Sequence, residues 1–310
     1  MKPDPDVSDA GEVIPAASST SLIGALVRTA RPKQWIKNVL VAAAPGAAGV
    51  LGERTALGRT ALAFIAFCFV ASATYFFNDA ADVEQDRLHP TKRARPVAAG
   101  ALTPLVARIA GGVFAVAGLL AAAALRDWRF FVVVGVYLAL TTLYTHVLKT
   151  IAVLDIAGVA SGYIIRAVAG AVATQVPLSN WFAIVTSFGS LFMVAGRRSA
   201  EHLDAGVEPA LHRSTLAKYS ADYLRYVRGV SSAIAITAYC LWAFERSGIG
   251  TRVPWFEFSI LPFVLAILRY ALLIDEGKGG TPEDIVFSDR AMPVLGIVWA
   301  ALVTAGIYIR

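Results

Sequence analysis

Long, uninterrupted apolar runs recur along this chain, and they settle what kind of solvent it folds in. The stretches Ala61–Phe77, Gly111–Leu125 and Phe130–Leu143 contain no charged residue. A helix of about 20 apolar residues crosses the hydrocarbon core of a bilayer. Barrel strands would alternate apolar and polar at every second position. These runs are instead continuous and rich in Ala and Leu. The composition agrees. The chain is 310 residues long, 57% hydrophobic and 16% charged, whereas soluble domains are about 25% charged. The expected fold is all-α, a polytopic membrane protein.

Nine transmembrane helices are expected, over 37–51, 59–78, 104–124, 129–147, 151–172, 180–197, 228–247, 255–274 and 291–309. The first is short, with Leu22–Val27 as a possible amphipathic lead-in. Thr103-Pro104 reads as a helix start, Gly52 as a stop, and Ser179-Asn180 as a cap. Residues 1–20 are polar and rich in Pro, Ala and Ser, and are expected to form a disordered tail rather than a cleaved leader. Residues 21–310 are expected to form one transmembrane domain. Cys68 and Cys240 lie inside apolar runs and read as core residues, not as a disulfide.

Basic residues give the orientation. Arg28, Arg31, Lys33, Lys37, Arg87, Lys92, Arg93, Arg95, Lys149, Arg197, Arg198, Arg213, Lys218, Arg225, Arg228, Lys278 and Arg290 fall on one side. The other side has Arg54, Arg59, Arg126, Arg129, Arg246, Arg252 and Arg310. The richer side is expected to be cytoplasmic, with the N-terminus inside and the C-terminus outside. The net charge of +6 then fits attraction to anionic headgroups. No basic stripe interleaved with exposed aromatics points to nucleic acid.

One segment concentrates chemistry: Asn78-Asp79-Ala-Ala-Asp82-Val-Glu-Gln-Asp86, followed by Lys92, Arg93 and Arg95. Asn78, Asp82 and Asp86 are spaced by four, so on a helix continuing the second span they share a face. Like charges on one stripe destabilise a bare helix, and a cation relieves this. Oxygen ligands without His or Cys favour a hard ion, and a few carboxylates plus substrate phosphates is the habit of Mg²⁺. The nearby cations suit an anionic ligand.

Three further groups lie on the same side. Arg31-Pro-Lys33-Gln-Trp35-Ile-Lys37 reads equally as an interfacial anchor or as a phosphate contact. Tyr144 and Lys149 precede a span containing Asp155 and Arg166. Those two are about 16 Å apart by helical rise, too far to pair, so each needs another partner; a charged ligand would serve. Arg197 and Glu201 have i,i+4 spacing, which suits either a helix salt bridge or a site. His89, His146, His202 and His212 have no metal-binding spacing. Gly279-Gly280-Thr281 reads as a chance likeness to a phosphate loop.

Asn78-Asp-x-x-Asp82-x-x-x-Asp86 after the second helix resembles the first acidic motif of the UbiA-type intramembrane prenyltransferases. The set Arg31–Asn38, Asn78–Pro96, Tyr163–Gly170, Phe188–Gly196, Leu241–Arg246, Pro282–Ile285 and Asp289-Arg290 resembles one branch, the decaprenyl-phosphate phosphoribosyltransferases. The resemblance implies a nine-helix bundle around a central cavity capped by cytoplasmic loops, in the plasma membrane. It implies Mg²⁺-dependent transfer of 5-phosphoribosyl from phosphoribosyl pyrophosphate to a polyprenyl (decaprenyl) phosphate, feeding cell-wall arabinan. A UbiA-type prenyltransferase acting on an aromatic acceptor is the alternative. Where other members carry a second Asp-x-x-x-Asp motif, this chain has Arg197-Arg198-x-x-Glu201-x-x-Asp204.

The resemblance also implies roles for single residues. Asp79, Asp82 and Asp86, with Asn78, hold the metal and the diphosphate. Lys92, Arg95, Lys149 and Arg197 are candidates for the donor phosphates, and Lys37 and Arg166 for the acceptor phosphate. Tyr144 orients ribose hydroxyls, and Lys33 and Glu201 complete the substrate-binding set. The lipid tail is expected in an apolar groove open to the bilayer. A transporter would need charged or broken helices near mid-membrane in several spans; here only Asp155 and Arg166 qualify. Gly158-x-x-x-Gly162 permits close helix packing, and a homo-oligomer is possible.

Overall fold

The computed structural model describes residues 21–204, 215–247, 253–277, 285 and 289–309. The expected tail at 1–20 lies outside the described residues, as do His212, Arg213, Arg252, Lys278, Gly279-Gly280-Thr281, Pro282–Asp284 and Arg310. Every described element is helical: α1 (Leu22–Ala30), a 3₁₀ stretch (Pro32–Ala42), α2 (Ala43–Ala47), α3 (Arg54–Ala81), α4 (Val83–Leu88), α5 (Pro104–Ala124), α6 (Trp128–His146), α7 (Leu154–Thr174), α8 (Asn180–Asp204), α9 (Ala221–Ser247), α10 (Trp255–Asp275) and α11 (Ala291–Tyr308).

Seven of these are long and apolar enough to cross a membrane: α3, α5, α6, α7, α9, α10 and α11. The chain is therefore a multi-pass membrane protein. Helices outlast the apolar runs where polar residues continue the turn. α3 starts at Arg54 and α9 at Ala221, earlier than hydropathy marks, because apolarity reports what lipid touches and not where the backbone stops coiling. Thr103 caps α5, its side chain accepting from the Val106 N–H, with Pro104 in the first turn. Asp289 caps α11 through the Ala291 and Met292 amides and accepts from Arg269. The Arg269 hydrogen bond comes first among the effects that hold the Asp289 carboxyl below its ordinary range.

The expected first span takes another form. α1 does not lead into it, because Arg31 adopts a left-handed conformation (φ 53°, ψ 60°) and breaks the coil. The chain then runs as 3₁₀ helix and five residues of α2. This segment packs against α3 and α7. Gly170 on α7 makes the approach possible, since an ideal Cβ there would sit 1.8 Å from the Val41 carbonyl oxygen. Gly170→Ala is expected to cost about 3 kcal/mol or more, at or above the usual range for overpacking, read as a lower thermal midpoint in detergent.

The core lies where α3 meets α5, α6 and α7, around Phe67, Val70, Phe130, Val134 and Tyr137. α5 and α11 carry exposed Leu105, Ile109, Val113, Leu120, Val294 and Ile297, the surface that lipid rather than water would solvate. The chain order brings the C-terminal ends of α3, α6 and α8 and the N-terminal end of α7 into contact.

Candidate active site

The acidic segment is not one continuous helix. Asp82 leaves helical geometry (φ −97°, ψ 14°) between α3 and α4. The i→i−4 bonds still pass through it, from Asp82 N–H to the Asn78 carbonyl and from Asp86 N–H to the Asp82 carbonyl. The bend divides the expected stripe into two sets facing different cations, which relieves the repulsion a straight stripe would store.

On one side, Arg31 reaches the Asp79 Oδ1 at 2.5 Å, and Arg95 bridges that oxygen (3.3 Å) and the Asp86 Oδ2 (2.7 Å). Asp79 is 1% exposed and its Oδ2 has no hydrogen-bond partner. The Arg31 guanidinium also lies over the Tyr75 ring, 4.6 Å from its centroid. α1 supports this side. Arg28 donates to the Ala94 carbonyl beside Arg95, and Ala25 and Ala30 pack with Phe76, Ala80 and Val97.

On the other side, Lys149 holds the Asp82 Oδ1 at 2.7 Å, and the Thr145 hydroxyl donates to the Asn78 Oδ1 at 2.5 Å. Lys149 sits in a short 3₁₀ turn between α6 and α7. Past that turn, Val153 leads into α7 with a φ of 70°, which is costly for a β-branched residue. The Val153 amide donates to the Tyr219 hydroxyl at 2.9 Å. Burial pushes the Tyr219 phenol up, so it stays protonated.

A second, deeper cluster adjoins. Arg198 bonds both oxygens of Asp155, at 2.7 and 3.0 Å, and reaches the Glu201 Oε2 at 2.6 Å and the Tyr144 hydroxyl at 3.3 Å. The Tyr144 hydroxyl donates to the Asp155 Oδ1 at 2.8 Å, and Arg197 pairs with the Glu201 Oε1 at 3.0 Å. Gly158 makes room for Tyr144, since a Cβ there would lie 2.9 Å from its ring. The Gly158-x-x-x-Gly162 face thus packs inside the chain, with Gly162 beside Tyr137 and Arg166.

The expected site residues therefore divide. Asn78, Asp79, Asp82, Asp86, Arg95 and Lys149 come together in one cluster, and Tyr144, Arg197 and Glu201 in the adjoining one. Arg166 is buried apart from both. Its guanidinium donates to Asn38 Oδ1, the Gly162 carbonyl and the Tyr137 hydroxyl, each at 2.8 Å. The partners sought for Asp155 and Arg166 are thus protein groups. Lys33 is exposed, and Lys37 and Lys92 are half-buried. Two residues named above within segments, but not among the expected site residues, are central: Arg31 and Arg198. Their pairings with Asp79 and Asp155 are remote in the chain, although Arg198 also has Glu201 at i,i+3 spacing.

Among the described residues, no three His, Cys, Asp or Glu side chains converge to hold a metal ion unaided. The donors nevertheless suit a hard cation that takes its remaining ligands from substrate oxygens. The Asp79 Oδ2 is buried and unpartnered, and Asp82 and Asn78 add further oxygens. Arg31, Arg95, Lys149, Arg197 and Arg198 balance Asp79, Asp82, Asp86, Asp155 and Glu201 one for one. A polyphosphate entering this cluster finds each of these five cations already paired with a carboxylate.

Beside Asn78 and Thr145 lies an open apolar groove of about 530 Å³, lined by Phe77, Ala115, Leu138, Thr142, Leu143 and His146.

Residues 39–288 match the UbiA prenyltransferase family. The chain belongs to that family. The decaprenyl-phosphate phosphoribosyltransferase of Mycobacterium tuberculosis is 46% identical, over 93% of this chain and 95% of that protein. The Corynebacterium glutamicum protein of the same name is 43% identical, over 93% and 88%. Among solved structures, a UbiA homolog from Archaeoglobus fulgidus bound to GPP and Mg²⁺ has a TM-score of 0.69 and 17% identity, over 92% of this chain and 100% of that one. That structural likeness makes the fold of this UbiA family member a UbiA fold.

Proposed function

We propose that this chain transfers the 5-phosphoribosyl group from phosphoribosyl pyrophosphate to decaprenyl or a similar polyprenyl phosphate. Pyrophosphate leaves, and the product is a polyprenylphosphoryl 5-phosphoribose that feeds cell-wall arabinan. The observation that carries the reading is the 46% identity, across nearly the whole chain, to a relative named for that reaction. The charge-balanced cluster supports it.

In this reading the bond from ribose C1 to the pyrophosphate oxygen breaks as a phosphate oxygen of the polyprenyl phosphate bonds to C1. The attacking oxygen is already anionic, so no protein group has to take a proton. The anomeric carbon gains oxocarbenium character, as in other glycosyl transfers. Mg²⁺ supplies charge neutralisation of the leaving pyrophosphate. Asp79, Asp82 and Asp86, with Asn78, are the residues that would hold it. Arg95, Lys149, Lys92 and Arg197 bind and orient the donor phosphates, and Tyr144, with its hydroxyl fixed by Asp155 and Arg198, orients the ribose. Lys33 and Lys37 serve the acceptor phosphate. Arg166 acts by tying the 3₁₀ segment to α6 and α7. Catalysis is mostly positioning and electrostatics. The groove beside Phe77 and Leu143 is suited to the first isoprene units.

The 3₁₀–α2 segment and α8 add to the seven apolar helices to make nine crossings, and residues 21–310 act as one catalytic unit. The site end, rich in Lys and Arg, faces the cytoplasm from the plasma membrane. The test uses purified protein in nanodiscs with Mg²⁺, polyprenyl phosphate and ¹⁴C-labelled phosphoribosyl pyrophosphate. Label is expected in the lipid fraction, and chelation with EDTA is expected to abolish it. No labelled lipid, together with transfer from a prenyl diphosphate to an aromatic acid, would overturn the reading.

A further inference from the structure

Arg31 occupies an unusual position. It presses on a carboxylate that the proposed function gives to a divalent cation. We propose that Arg31 competes with that cation for Asp79 and, when the cation binds, passes its guanidinium to the donor's phosphates. The inference rests on the proposed function and deepens it by giving this one arginine two alternative partners.

The two oxygens of Asp79 are loaded unequally. Oδ1 receives Arg31 at 2.5 Å and Arg95 at 3.3 Å, while Oδ2 is buried without a partner. A cation approaching Oδ2 comes within a few ångströms of the Arg31 guanidinium, and like charges that close in a partly buried site repel strongly. Something must yield, and the two arginines differ in what holds them. Arg95 also binds Asp86 at 2.7 Å, so it keeps a carboxylate if it loosens from Asp79. Arg31 pairs with Asp79, and its other contact is the face of Tyr75.

The backbone favours the same choice. Arg31 sits at the junction of α1 and the 3₁₀ segment with φ 53° and ψ 60°, a left-handed conformation that a non-glycine residue rarely adopts. Its neighbours on both sides are fixed. The Trp35 indole donates to Ser72, and the Ser72 hydroxyl donates to the Ala30 carbonyl. The pivot is held in place while the side chain, 26% exposed, has room to swing. A planar fork released from a carboxylate matches a phosphate equally well.

The experiment uses the full chain in nanodiscs. Mn²⁺ alone is titrated and followed by electron paramagnetic resonance. Phosphoribosyl pyrophosphate is then titrated calorimetrically at saturating Mg²⁺. Arg31→Gln is expected to bind Mn²⁺ alone about tenfold more tightly, since a competing positive charge is gone, and the donor about tenfold more weakly. A residue that only stabilised the fold would weaken both. Equal or weaker Mn²⁺ binding by Arg31→Gln overturns the proposal, and so does unchanged donor affinity. If Arg31→Gln does not fold, Arg31→Lys decides. Its retained charge should leave Mn²⁺ affinity near wild type and still lower donor affinity several-fold, since a point charge lacks the fork; unchanged donor affinity overturns the proposal. Wild-type protein that binds no phosphoribosyl pyrophosphate overturns the proposed function instead, and the Mn²⁺ titrations still judge the competition at Asp79.

Discussion

Asp82→Asn is expected to lower phosphoribosyl transfer by about 10³-fold, the scale seen when a preorganised electrostatic contact to developing charge is removed, while the protein stays folded. The structure separates the two effects. Asp82 is 27% exposed, and its ion pair is with Lys149, itself 23% exposed. Partly solvated pairs contribute about 0–1 kcal/mol, and Asn keeps the shape and one acceptor oxygen. Loss of activity with an unchanged unfolding midpoint would assign Asp82 to the chemistry. Asp79 is a poorer choice for this test. It is 1% exposed between two arginines, so its removal mixes a folding defect with a catalytic one. Near-wild-type transfer by Asp82→Asn would sink the metal assignment.

Arg198→Ala is expected to destabilise the protein by about 3–5 kcal/mol, the cost of breaking a buried ion pair from one side. Asp155 is fully buried and loses both bonds from Arg198, Glu201 loses one, and the Tyr144 hydroxyl loses its donor. Removing the stranded charge as well should recover much of this. The double variant Arg198→Ala with Asp155→Ala is expected to unfold at a higher temperature than Arg198→Ala alone. Transfer should not recover with it, because Tyr144 then lacks both groups that fix its hydroxyl. A double variant no more stable than Arg198→Ala would mean that the pair contributes by packing rather than by charge. The measurements are thermal unfolding in detergent and transfer in nanodiscs.

Much of the fold and part of the site are legible in the sequence. Hydropathy locates α3, α5, α6, α7, α10 and α11, because a helix in lipid must show about 20 apolar residues in a row. Local spacing picks out Asn78–Asp86, Lys149, Tyr144 and the Arg197–Glu201 pair, all of which rest on neighbours within a turn or on charge next to an apolar run. Three things are not legible there. The close approach of the Pro32–Ala42 segment to α7 depends on the missing side chain at Gly170, far along the chain. The bend at Asp82 comes with the pairing of neighbouring carboxylates to Lys149 and Arg95, both remote from the α3–α4 junction by helical spacing. The pairings of Arg31 with Asp79, Arg166 with Asn38 and Arg198 with Asp155 span 48, 128 and 43 residues, beyond the reach of any helical period.

The pairing of each carboxylate with a remote cation also sets an order in time. A ribosome delivers Arg31 before Asp79, so that pair closes as soon as α3 is made. Asp82 must wait for Lys149, and Asp155 for Arg198. During synthesis Asp82 at the end of α3 therefore lacks its lysine until the α6–α7 turn emerges, and Asp155 at the start of α7 lacks its arginine until α8 is nearly complete. A nascent chain stalled between Asp155 and Arg198 has that carboxylate beside the Tyr144 hydroxyl but still without its arginine.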